Sequence, residues 1–291
     1  MNRLIKWIMV IFLLLSGCAV QKEEIKENTI DSWNDVETSR YRKEEKKLFI
    51  DGQMIWGEAW IPETGKDKYP LVICSHGLGA NYSTCFKFAE LLATHGIATY
   101  CFDFRGGGGN RSDGSRFEMS LLTEADDLDA IIDSCVTWDF VDKDKIVLLG
   151  ESQGGAVSAI SAGRNKDIVN GLIMYYPAFV VPDWVHEMFK TKEDITVRFN
   201  FMWLPLGRKY AEDVWDYDPY SEIGSYDKPV LLMHGDKDEL VPLFYADEAA
   251  KCYKDIEYYV IKDGQHGFTG DKGEQANKYL LDYLLKIKVI Q

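Results

Sequence analysis

The sequence is poor in the residues that build metal sites, disulfide frameworks and nucleic-acid surfaces. Its 291 residues include five histidines and six cysteines, and no His, Cys or carboxylate cluster falls at metal-ligand spacing. Setting aside Cys18 near the N-terminus, Cys74, Cys85, Cys101, Cys135 and Cys252 are left. An odd number with no close pairs argues against a disulfide framework. Cys74 and Cys101 fall in apolar strand-like runs and read as buried small hydrophobes. Basic residues are also outnumbered: 33 Lys and Arg stand against 47 Asp and Glu, a formal net charge of −14. Such a surface repels polyanions, so nucleic acid is not an expected partner. No internal repeat or low-complexity segment is visible, and no cofactor is expected.

What is present begins with an address. Arg3 and Lys6 precede an unbroken apolar run over residues 7–15, followed by Leu15-Ser16-Gly17-Cys18. That is a signal peptide, too short to span a membrane as a mature helix. Its last four residues resemble a bacterial lipobox. Residues 1–17 are therefore expected to be removed and Cys18 to be lipidated, tying the protein to the outer face of a bacterial membrane. A plain signal peptide with a chance cysteine is the alternative. Residues 18–45 are charged, aperiodic and short of apolar side chains, and read as a solvated tether. Without Arg3 and Lys6 the net charge becomes −16. Residues 46–291 suffice for one large α/β domain with a well-buried core.

Residues 46–60 hold two strand-like runs around Asp51-Gly52, a hairpin signal. Residues 71–75 form a continuous apolar run of the kind shown by a strand covered on both faces. A helical pattern follows over 82–94, a strand over 97–104, a helix over 121–138 and a strand over 146–150. This alternation predicts right-handed crossovers and a mostly parallel sheet with helices on both faces. After a strand at 171–175 the alternation stops. Residues 177–228 are thick with aromatic side chains, and a structureless loop of that length is rare in a compact domain. A small helical insertion over the C-terminal edge of the sheet is expected there. Strands at 229–235 and 256–261 and helices at 244–253 and 274–287 close the chain.

One stretch organises the rest: Ile146 to Ala156, I-V-L-L-G-E-S-Q-G-G-A. Gly150 and Gly154 stand two residues either side of Ser152. A sharp strand-to-helix turn that pushes a serine hydroxyl out of a sheet needs them, because a Cβ there would collide with neighbouring backbone. Alone the pattern is weak, but an apolar strand before it and a Gly/Ala-rich helix after it are the surroundings it requires. A serine hydroxyl is a poor nucleophile at neutral pH and needs a base, held in one tautomer by a carboxylate. Of the five histidines, His266 is the best base, in the glycine-flanked loop Gly264-Gln265-His266-Gly267-Phe268 after the last expected strand. His95 lies at a helix end, His186 in the insertion and His234 at a strand's close, and His76 fits a hydrogen bond that shapes its loop. For the carboxylate, Asp236 and Asp238 both qualify by position.

With His234-Gly235-Asp236-Lys237-Asp238-Glu239-Leu240-Val241-Pro242 in place, the chain resembles the α/β-hydrolase superfamily. That superfamily's H-G-x-x-D-x-x-V-P segment puts its acid where Asp238 stands, leaving Asp236 as a turn residue. The resemblance runs over residues 46–285 and keeps the family's order of Ser, Asp, His. It implies an α/β-hydrolase fold: a mostly parallel eight-stranded sheet, helices on both faces and a small cap insertion at 177–228. His76-Gly77-Leu78-Gly79 matches the family's oxyanion loop, which makes the N–H groups of Leu78 and Gln153 the implied oxyanion donors. More closely, the chain resembles bacterial feruloyl and cinnamoyl esterases and dienelactone hydrolases. Ser75-His76-Gly77, Asp103-Phe104-Arg105-Gly106-Gly107 and Gly150-Glu151-Ser152-Gln153-Gly154-Gly155 carry this. The activity so implied is cleavage of small-molecule carboxylic esters, with an aryl acyl group suiting the aromatic-rich insertion. Ser152 is then the nucleophile, His266 the base and Asp238 the orienting acid, with no metal. The insertion's aromatics either line the pocket or form the insertion's own core. Two other readings stand beside this one. A peptidase or aminopeptidase on the same fold needs an acid such as Glu187, Glu193 or Asp213 in the pocket to hold a substrate amine. A non-catalytic surface lipoprotein would use the fold for binding alone.

Overall fold

The computed structural model describes residues 40–109 and 111–290. The expected signal peptide, Cys18 and nearly all of the expected tether lie outside the described residues. The first strand, β1 (Tyr41–Ile50), begins within residues 18–45, which the sequence reads as tether, and pairs antiparallel with β2 (Gln53–Pro62) across the Asp51-Gly52 turn. Residues 46–50 match the expected run, and charged side chains hid the earlier half of this strand. Its half-buried positions include Glu44 and Lys46, and Lys43 is satisfied by Glu58 at 3.7 Å and by the Trp60 ring at 3.5 Å. Charge on an edge strand discourages pairing with another chain.

The remaining sheet follows from apolar runs. β3 (Tyr69–Ser75), β4 (Ala98–Phe102), β5 (Val141–Glu151), β6 (Val169–Tyr175), β9 (Val230–Gly235) and β10 (Ile256–Ile261) complete an eight-stranded sheet in the order β1-β2-β4-β3-β5-β6-β9-β10. β1, β2 and β4 pair antiparallel, and every later pairing is parallel. β3 shows why its residues are uninterruptedly apolar. Leu71 and Ile73 face one core layer and Val72 and Cys74 the other, all of them fully buried. The first layer is covered by α2 (Leu121–Cys135), α3 (Gln153–Arg164) and α7 (Leu243–Ala250), the second by α1 (Phe86–Thr94) and α8 (Asp271–Lys286). Cys74, Cys85, Cys101 and Cys135 are buried free thiols.

Between β6 and β9 the chain leaves the sheet. The sequence predicts a helical insertion, and the structure corrects this. The insertion holds α4 (Val181–Met188), α5 (Arg208–Val214) and α6 (Pro219–Ile223), and also a two-stranded hairpin of β7 (Arg198–Phe201) and β8 (Leu204–Gly207). The two-residue turn is Met202-Trp203, with Met202 at φ 53°. Such turns favour Asn or Gly where φ is positive, so residue type gave no warning of the hairpin.

Candidate active site

β5 delivers the serine. Its last residue, Glu151, is followed by Ser152 at φ 53° and then by α3. A left-handed φ on a non-glycine residue is strained and persists only where its surroundings hold it. Here a Cβ on Gly150 would stand 2.1 Å from the Gly154 carbonyl oxygen, and one on Gly154 would stand 2.4 Å from the Ser75 and His76 carbonyl oxygens. The Ser152 carbonyl accepts from the N–H groups of Gly155, Ala156 and Ala178, which pins the turn.

The loops after β9 and β10 bring two more side chains to the hydroxyl. His266 Nε2 lies 2.9 Å from Ser152 Oγ, and its Nδ1 lies 2.8 Å from Asp238 Oδ2. This geometry fits a neutral imidazole with its proton on Nδ1, leaving Nε2 to accept from the serine hydroxyl. Asp238 is 7% exposed, and its Oδ1 accepts from the N–H groups of Leu240 and Val241 at 3.0 and 2.8 Å. Burial alone would raise its pKa. Hydrogen bonds from His234, His266 and the Val241 amide outweigh that and hold the carboxyl well below the usual range. Asp238 is therefore an ionised acceptor facing the histidine.

Asp236 does more than shape its own turn. Its Oδ1 accepts from the Asp263 N–H at 2.6 Å, which ties the exit loops of β9 and β10 together and away from the serine. His234 has a larger part than closing a strand. Fully buried, it donates from Nε2 to the Val241 carbonyl at 2.8 Å, and the same nitrogen lies 3.4 Å from Asp238 Oδ2. His76 donates from Nδ1 to the Gly77 carbonyl at 2.9 Å and accepts at Nε2 from the Phe104 N–H at 3.3 Å. Burial lowers its pKa, so the ring is neutral and both nitrogens shape the loop.

Leu78 and Gln153 line the same pocket as Ser152 and His266. Among the described residues neither backbone N–H makes a hydrogen bond, so both donors are open. The Gln153 side chain belongs to a buried chain that residue type did not announce. Its Nε2 donates to Glu124 Oε2 at 2.8 Å, and its Oε1 accepts from the Tyr210 hydroxyl at 2.6 Å. Burial pushes the Glu124 carboxyl up to about 8. α2, α3 and the insertion's α5 thus meet directly behind Gln153. On the other side of the elbow, Glu151 accepts from Lys87 at 2.5 Å and from the Tyr176 hydroxyl, and the Tyr176 ring packs against His266 at 4.7 Å.

The cavity in front of Ser152 encloses about 260 Å³. The insertion contributes Val181, Trp184, Met202 and Trp203, while Thr84, Lys87, Glu151 and Tyr176 supply a more polar portion. Phe189 and Phe199 pack on each other at 5.2 Å, as do Phe201 and Tyr210. The aromatics are therefore divided between the pocket wall and the insertion's own core. Glu187, Glu193 and Asp213 do not line the cavity, and Asp213 instead accepts from the Ser120 hydroxyl at 2.5 Å.

This fold recurs in known proteins. The structure of Est1E from Butyrivibrio proteoclasticus with bound ferulic acid is similar, with a TM-score of 0.74 at 25% identity, over 82% of this chain and 99% of that one. In sequence the chain is 26% identical over 212 residues to an uncharacterized membrane protein of Saccharomyces cerevisiae, covering 72% of this chain and 68% of the relative. It is 23% identical over 164 residues to the Homo sapiens serine hydrolase BPHL, covering 48% of this chain and 55% of that protein. Residues 67–215, which run from β3 through the elbow to α5, match the family described as serine aminopeptidase, S33. A serine raised on a strand-to-helix elbow within an eight-stranded α/β sheet is thus accompanied by a match over half of the chain, and the protein belongs to this hydrolase family of the α/β-hydrolase superfamily.

Proposed function

We propose that the protein is a serine esterase cleaving small-molecule carboxylic esters through an acyl-enzyme. The observation that carries this reading is the relay from Ser152 Oγ through His266 to ionised Asp238, at 2.9 and 2.8 Å. As Ser152 Oγ attacks the ester carbonyl, His266 Nε2 takes its proton and Asp238 stabilises the resulting imidazolium. The carbonyl oxygen, now negative, is held by the N–H groups of Leu78 and Gln153, each contributing about 3 kcal/mol to lowering the barrier. His266 then protonates the departing alkoxide. A water molecule, deprotonated by the same nitrogen, releases the acid and restores Ser152.

An aryl acyl group is the best-supported substrate. Trp184 and Trp203 stand in the cavity wall, the volume suits one substituted ring, and the similar Est1E structure holds ferulic acid. The aminopeptidase reading, which the family description invites, needs a carboxylate free to hold an amine. Glu151 is the one acid among the described residues lining the cavity, and it is already engaged by Lys87 and Tyr176. A fluorophosphonate probe should label the wild-type protein and not Ser152→Ala. Labelled enzyme should come from a preparation that turns over aryl esters faster than short alkyl esters or dipeptide amides. Preferential turnover of the amides would replace this reading with the peptidase one.

We also propose that Cys18 carries the lipid that holds the protein on the outer face of a bacterial membrane. The apolar run ending in Leu15-Ser16-Gly17-Cys18 supports it. Cys18→Ser should move the protein from the membrane to the soluble fraction. Unchanged partition would overturn the lipid anchor.

A further inference from the structure

Behind the active-site wall lies a second cavity of about 360 Å³, built by the insertion together with α7. The two cavities share α4: Val181 and Trp184 line the first, while Pro182, Asp183 and His186 line the second. Aromatic rings dominate the second cavity. Phe179, Trp215, Tyr217, Tyr220 and Tyr245 all reach it, and the only charged side chains among its lining residues are the carboxylates of Asp183 and Asp218. Among the described residues, no lysine or arginine lines it. Glu187 and Glu248 add to the negative field, raising the Tyr245 and Tyr220 phenols after the larger effect of burial. The cations around it are paired: Arg164, whose charge reaches the Tyr217 phenol, with Glu222, Asp126 and Asp129, Lys251 with Glu248 and Lys192 with Asp216.

We propose that this cavity binds a small organic cation, of the methylated or quaternary ammonium class, between its aromatic rings and Asp183. Aromatic rings attract a cation through their quadrupole, most strongly when the cation sheds water easily, as a methylated ammonium does. A bare metal ion fits poorly. One oxygen of Asp183 accepts from the Tyr245 hydroxyl at 2.6 Å and one of Asp218 from the Tyr220 N–H at 3.0 Å. Too few oxygens remain for the six to eight that calcium takes. The carboxylates instead supply charge at the rim, and the rings supply the surface. This site does not depend on Ser152 acting as a nucleophile.

Tetramethylammonium chloride titrated into the whole protein by calorimetry, against matched sodium chloride, tests the proposal. Saturable binding in the millimolar range is expected. Asp183→Asn keeps an acceptor for Tyr245 but loses the charge, and Trp215→Leu removes the largest ring. Each should weaken binding by about fivefold or more. Trp203→Ala, on the active-site cavity and 64% exposed in the wild type, should bind as the wild type does. Three results would overturn the site: no saturable heat beyond the sodium chloride control, equal binding by Asp183→Asn and the wild type, or loss of binding in Trp203→Ala. The last would put the cation in the active-site cavity. Thermal melts of each variant separate lost binding from lost fold.

Discussion

Residue by residue, the candidate site divides into the side chains that meet at the Ser152 hydroxyl, which in the proposed relay exchange the proton, and those that hold them in place. Ser152 and His266 meet through one hydrogen bond of 2.9 Å, so neither has a function in the relay without the other. Ser152→Ala and His266→Ala should each cost about six orders of magnitude in kcat on an aryl ester, and the double variant should be scarcely worse than either. Independent, multiplying losses would break the relay. Asp238→Asn should cost about three to four orders of magnitude, because an amide cannot hold His266 in the required tautomer while also accepting from the Leu240 and Val241 amides. Asp236→Asn should leave kcat within a fewfold of wild type, since its carboxylate grips the Asp263 backbone and not the histidine. The reverse ranking would exchange the two acids. Ser152, Asp238 and His266 were legible before the fold because their chemistry forces local signatures: glycines at a strained turn, an acid beyond a strand, a histidine in a glycine loop. His234 and Glu124 were not, because a buried polar side chain has the same sequence as an exposed one until its neighbours are known.

At the level of elements, the parallel strands were readable because burial on both faces leaves an apolar run, as at β3, β9 and the second half of β5, whose charged and partly exposed first half, residues 142–145, was not read as strand. Only the first half of β1, residues 41–45, escaped, because it is charged at Arg42, Lys43, Glu44 and Glu45, and the β7–β8 hairpin escaped because its turn lacks turn residues. That hairpin is the element most exposed to selection by substrate. Met202 sits at φ 53° and Trp203 is 64% exposed, yet both line the active-site cavity. Strain tolerated at a cavity rim points to a role for the side chains that cause it. Replacing Met202-Trp203 with Asn-Gly should leave the hairpin at least as stable, because the new turn accepts positive φ without strain. Preference for aryl over short alkyl esters should fall while the fluorophosphonate still labels Ser152. A retained aryl preference would assign the selectivity to Trp184 and Val181 on α4 instead.

For the molecule as a whole, the joint between sheet and insertion sets how stability responds to pH. Glu124 on α2 is 1% exposed and hydrogen-bonded to Gln153, which in turn holds Tyr210 of the insertion. Burial is the largest cause of its raised pKa and the neighbouring Asp127 adds to it, while the Gln153 bond opposes both. Asp127 is itself raised to about 6 by burial, against hydrogen bonds and charge from Arg105. An acid whose pKa is higher folded than unfolded binds more protons in the folded state between the two values. Stability must then fall as pH rises through that window, here from the ordinary 4.5 to about 8, and level off above it. Below the window both states are protonated and Glu124 contributes no slope. Glu124→Gln removes the ionisation and leaves an amide oxygen to accept from Gln153. Denaturant unfolding at a series of pH values should therefore show the wild type losing stability relative to the variant between about pH 5 and 8, by several kcal/mol in all. Asp127 remains in both proteins, so its smaller slope cancels in the difference. Parallel curves for the two proteins would mean that Glu124 is already ionised in the folded state at neutral pH, with its charge compensated inside the joint.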